Sequence, residues 1–102
     1  MLFTSIKFDT LMEGVARQIR ARFPPVVAND PERTTSQERI EEIVEQTFAA
    51  ALHSEGEHRI GFVGRTRLRN ALRRELREIG YDEKFVNFAV EKLMAQLTRG
   101  AR

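Results

Sequence analysis

Residues 65–97 read RTRLRNALRRELREI, then GYD, then EKFVNFAVEKLMAQL, and the fold turns on these three pieces. In the first, Leu68, Leu72, Leu76 and Ile79 recur at helical spacing along one stripe, the pattern of an amphipathic helix with a single buried face. Arg67, Arg69, Arg73, Arg74 and Arg77 spread over the opposite side. Gly80 is suited to leave a helix in the left-handed conformation, and Asp82 is suited to cap the next one. The spacing therefore predicts helices over about 65–79 and 83–98. In the second of these, Phe85, Val86, Ala89, Val90, Leu93, Met94 and Leu97 cover roughly half the circumference, with Phe88 outside that arc. One neighbouring helix covers less, so Phe85, Val86, Val90, Met94 and Leu97 are expected to form a self-association interface.

Working back from Arg65, residues 58–63 hold Ile60, Phe62 and Val63 among glycines, and are expected to form a short extended segment or buried turn. Before it, Thr35-Ser36-Gln37-Glu38 reads as a capping box opening a helix over about 36–54. Ile40, Ile43, Val44, Thr47, Phe48, Ala51 and Leu52 keep the helical period. Glu38, Glu41, Glu42 and Glu45 lie in its first half, where the helix dipole favours them. Residues 24–34 carry Pro24, Pro25 and Pro31 with Asn29 and Asp30. This connection is long enough to let the first helix swing out onto a neighbouring subunit. That first helix, about 5–22, places Phe8, Leu11, Met12, Val15 and Ile19 on one face. Ser5 can cap its start, or Thr10 with Glu13 can form a later capping box. Phe3, Ile6 and Phe8 alternatively suit a short strand.

The expected fold is all-α: a single small four-helix domain spanning 1–102, with the extended segment between its second and third helices. The chain has 102 residues, of which 41% are hydrophobic and 31% charged, a globular composition too short for two independent cores. No apolar run approaches the ~20 residues that cross a bilayer, and the first residues lack the basic and apolar regions of a signal peptide. There is no cysteine, which excludes thiol nucleophiles, iron–sulfur clusters and cysteine zinc sites, and points to a reducing cytoplasm.

Charge is segregated along the chain. Residues 36–57 hold six Glu and one Arg, whereas residues 59–77 hold seven Arg and one Glu. Arg65, Arg67, Arg69, Arg73, Arg74 and Arg77 are the candidate phosphate contacts; the competing reading is a solvated face, partly neutralised by the acidic helix within the chain or between subunits. The two helices around Gly80-Tyr81-Asp82 resemble a helix-turn-helix in outline. In that motif, however, the second helix reads base edges, and here the arginines sit on the first. His53, Glu55, Glu57 and His58 cluster within six residues, but at no spacing that places a ligand pair on one helix face. Glu75 stands close to the apolar stripe and is expected to be partly buried beside an arginine. No phosphate loop, nucleophile elbow or dinucleotide fingerprint is present. Neither catalysis, a metal nor a cofactor is therefore expected. The favoured reading is a protein-interaction module, an adaptor or accessory subunit that forms a homodimer through the last helix or by exchange of the first. The alternative is a nucleic-acid-binding regulator that uses the arginine helix.

Overall fold

The computed structural model describes residues 2–54 and 62–100. Their elements are α1 (Leu2–Arg22), α2 (Pro25–Ala28), α3 (Gln37–Ser54), α4 (Phe62–Ile79) and α5 (Glu83–Gly100), with no strand among the described residues. The all-α, four-long-helix architecture is as the apolar periodicities predict. The short α2 adds a turn inside the proline segment, where Pro25 at the first helical position has its φ already set. None of the described helices is long and apolar enough to cross a membrane.

The four long helices close a ring in which α1 packs on α3 and α4, and α5 packs on the same two. The acidic α3 and the basic α4 therefore stand diagonally opposite. Met12, Ile19, Val44, Phe48, Leu68, Leu72, Leu76, Val86 and Leu93 fill the centre with essentially no exposure. Burying each such side chain contributes about 1.5–3 kcal/mol.

Several local expectations are corrected. Residues 62–64 begin α4, so the helix starts three residues before Arg65; the rest of the expected extended segment, 58–61, lies outside the described residues. The start of the chain is helix from Leu2, so Ser5 and Thr10 are internal and no strand forms there. At α3 the cap is Ser36, whose Oγ accepts from the Arg39 amide at 3.1 Å. Glu38 sits in the first turn, where it serves the dipole and not a reciprocal box.

The wide apolar arc of α5 has a different explanation from a second copy. Phe85, Val86, Val90 and Leu97 are buried and Met94 is partly buried within the chain itself. One helix neighbour would not cover that arc, but α3 and α4 together do. Phe88, expected outside the arc, packs against the core beside Phe85 at 6.1 Å between ring centres.

The proline segment is docked, not loose. Asn29 Nδ2 donates to the Gly80 carbonyl at 2.9 Å, and the Asp82 amide donates to Asn29 Oδ1 at 3.1 Å. Beside it, the buried Tyr81 hydroxyl donates to the Phe23 carbonyl, and its ring stacks on Phe85 at 4.5 Å. These bonds tie the end of α1 to the α4–α5 turn. The radius of gyration, 13.3 Å, matches the ~13 Å of a compact chain of this length, as it would not if α1 stood away from the rest.

The turn has the chemistry its sequence promises. Gly80 has φ of +119°, and its amide and that of Tyr81 close back onto Arg77 and Leu76 carbonyls at 3.1 Å each. This Schellman pair satisfies the end of α4. Asp82 Oδ1 then accepts from the Phe85 amide at 2.9 Å and opens α5.

Candidate nucleic-acid interface

Because α4 buries Leu68, Ala71, Leu72 and Leu76, its remaining circumference is turned outward, and the helical repeat sorts the arginines into two rows. Arg69, Arg73 and Arg77 fall at i, i+4 and i+8 along the edge nearer α5, with a rise of about 6 Å per step. Arg67 and Arg74 lie two turns apart along the edge nearer α1. Arg65 is set apart: it is half-buried, and its Nε is shielded from solvent with no hydrogen-bond partner among the described residues.

Each row is partly engaged by the helix beside it. Arg73 Nη1 donates to Asn87 Oδ1 at 2.9 Å, a bond that leaves its charge uncompensated. Arg77 grips Glu83 with two bonds, Nε to Oε2 at 2.7 Å and Nη2 to Oε1 at 2.9 Å. That pairing raises the Arg77 pKa and holds the Glu83 carboxyl below its ordinary range. Arg74 lies 3.7 Å from both Asp9 of α1 and Glu75 of its own helix. Glu75 is only 18% exposed there, as its position beside the apolar stripe suggests. Arg67 and Arg69 have no hydrogen-bond or ion-pair partner among the described residues.

The acidic helix does not supply the missing anions. Lys92 of α5 reaches Glu41 at 3.7 Å and Glu45 at 3.4 Å while resting 5.7 Å over the Phe88 ring. Arg39 pairs with Glu42 within α3. The expected pairing between acidic and basic helices is thus replaced by pairing of each with α5, α1 or itself, because the ring places α3 and α4 on opposite corners. The α4 segment holds six Arg against two Glu, and its outward face remains cationic.

Between α1 and α4 lies an open cleft of about 390 Å³ with Asp9 on one wall and Val63, Arg67, Asn70, Ala71 and Arg74 on the other. Val63 is 72% exposed at this cleft. Asn70, three residues after Arg67 and four before Arg74, was legible only as one more polar-face residue. Asp9 carries no sequence signal at all, because it reaches the site through tertiary packing.

The structure does not assemble the other candidates into a site. His53 is exposed at the end of α3, and Glu55, Glu57 and His58 lie outside the described residues. Among the described residues no three His, Asp or Glu side chains are grouped to hold a metal ion. Phe85, Val86, Val90 and Leu97 form the interior, as above. The chain matches no family model, and comparison with curated proteins and with solved structures gave no significant match.

Proposed function

We propose that the protein is a nucleic-acid-binding domain whose working surface is the outward face of α4. The observation that carries this reading is that Arg67 and Arg69, at opposite edges of the face, have no hydrogen-bond or ion-pair partner among the described residues, while the acidic helix is held across the bundle. Arg67, Arg69 and Arg73 would contact phosphates, with Arg74 and Arg77 positioned to exchange Asp9 and Glu83 for a stronger anion. Of the two features behind the protein-interaction reading, the apolar arc of α5 is filled from within the chain, and the charge-separated helices suit the nucleic-acid reading as well.

Binding of this kind is electrostatic and releases condensed counterions. About three phosphate contacts give a slope in log K against log salt near −2.7 for duplex DNA and near −2.1 for a single strand, or ~40-fold and ~20-fold weaker binding at ~200 mM than at ~50 mM. Fluorescence anisotropy of labelled duplex DNA and single-stranded RNA over that salt range tests it. Dissociation constants of micromolar order with these slopes support the reading. No binding at low salt would sink it, and the arginines would then be a solvated surface.

A further inference from the structure

We infer that the cleft between α1 and α4 receives one unpaired base bearing an exocyclic amino group, so that the ligand is single-stranded. This rests on the proposed function and adds which nucleic acid, and which bases, the same surface takes.

A carboxylate inside a phosphate-binding surface is an obstacle if phosphate is meant to enter the cleft, because like charges repel there. It is an asset if the base enters and the phosphate stays outside. Arg74 stands 3.7 Å from Asp9 Oδ1, close enough to hold the carboxylate by charge but beyond a direct hydrogen bond. With about four lone-pair directions on an ionised carboxylate, Asp9 keeps capacity to accept N–H groups from a ligand.

The rest of the cleft suits a base. Val63 provides apolar surface, Asn70 offers an amide donor and acceptor, and the planar guanidinium of Arg67 or Arg74 can stack on a ring face. The cleft is open, with a volume of about 390 Å³, so a base in it would keep one side toward solvent. Cytosine, adenine and guanine each carry an exocyclic amino group that donates to a carboxylate, whereas thymine has a carbonyl oxygen in the corresponding place and only its ring N3–H to donate. A base held in a duplex stack cannot turn into a cleft beside the helix, which is why the ligand must be a single strand.

The test compares short oligodeoxycytidine, oligodeoxythymidine and a duplex of mixed sequence by anisotropy at low salt, with wild-type protein and Asp9→Asn. The expected result is oligodeoxycytidine bound about tenfold more tightly than oligodeoxythymidine, the effect of roughly one satisfied base contact. Asp9→Asn, which keeps an acceptor oxygen but loses the charge that strengthens the bond, should then lower that ratio while overall affinity for anions rises. Equal binding of all three ligands by the wild-type protein would overturn the inference and leave the proposed function standing. A cytidine preference unaffected by Asp9→Asn would also overturn it, because the base would be read elsewhere. No binding of any ligand would remove both readings together.

Discussion

The two charged helices, α3 and α4, are built alike on the inside and differ on the outside. Each puts a stripe of Ile, Leu, Val or Phe into the same core, and each turns charge to solvent. On α3 most of the charge is compensated close by: Lys92 bridges Glu41 and Glu45, Arg39 meets Glu42, and Gln46 accepts from Arg22 at 3.1 Å, while Glu38 has no ion-pair partner among the described residues. On α4 the compensation stops at Glu83, Asp9 and Glu75, and Arg65, Arg67 and Arg69 have no hydrogen-bond or ion-pair partner among the described residues. A count of charges per helix gives both the same standing. What separates a solvated face from a candidate site is what the flanking helices offer, and α5 offers one shared lysine to the acids but one glutamate to six arginines.

The likeness of the inner faces is the part of this contrast with the largest energetic stake. Phe48 under α3 and Leu72 under α4 are both fully buried. Phe48→Ala should cost ~3–5 kcal/mol and Leu72→Ala ~2–5 kcal/mol, read as shifts of the urea midpoint without a change of slope. A much smaller loss at either position would mean that one corner is not part of the common core.

Outer faces should part company when their charges are reversed. Arg67→Glu combined with Arg69→Glu is expected to weaken nucleic-acid binding by more than about tenfold at low salt and to lower the salt slope by nearly 2. Stability should stay within ~0.5 kcal/mol, since neither side chain has a hydrogen-bond or ion-pair partner among the described residues. The mirror change on α3, Glu38→Lys with Glu42→Lys, should leave binding intact or tighten it. If both reversals weakened binding equally, the contact would not be localised to α4.

A further contrast concerns how the corners are fixed. The end of α4 is anchored by Tyr81, whose buried hydroxyl bonds the Phe23 carbonyl; burial pushes its pKa well above the ordinary phenol value, with Arg20 pulling the other way. An unfolded tyrosine ionises near pH 10 while the folded one resists, so this contribution is complete below about pH 10 and is lost as pH rises beyond it. Tyr81→Phe should cost ~1 kcal/mol at neutral pH and flatten the alkaline end of the stability profile. On the α3 side the fixing group is a lysine. Lys92→Met should cost up to ~1 kcal/mol through the loss of two ion pairs and the ring contact, and the deficit should shrink at high salt. A salt-independent loss would mark the lysine stem, not its charge, as the stabilising part.

Much of this arrangement is written locally. The period of Leu68, Leu72 and Leu76, the glycine at 80 and the aspartate at 82 specify α4, its end and the start of α5 by short-range rules of capping and amphipathicity. The site is less legible because it depends on which helices are neighbours. The arc on α5 is equally consistent in sequence with two partners in one chain or one partner in another. Only the ring order, with α3 and α4 apart, decides that it closes internally and that the acids cannot reach the arginines. Asp9 shows the same limit. It is one polar residue on a helix whose place beside Arg74 follows from a packing angle and not from any spacing in the chain.

The smallest expected effect tests whether compensation, rather than charge number, defines the basic face. Glu83→Gln removes the carboxylate that occupies Arg77 without altering the count of arginines. Both groups are exposed, so the change in stability at neutral pH should be slight. Because the Glu83 pKa is lowered in the fold, whatever the pair contributes is present above the ordinary carboxylate range and is lost as pH falls through the folded value. The variant should therefore show a slightly shallower acid destabilisation than the wild type. In the binding assay the freed guanidinium should reach one more phosphate, steepening the salt slope by up to ~0.9 and tightening binding at low salt. An unchanged slope would place Arg77 outside the contact surface and confine the interface to the first three turns of α4, where Arg67, Arg69 and Arg73 stand.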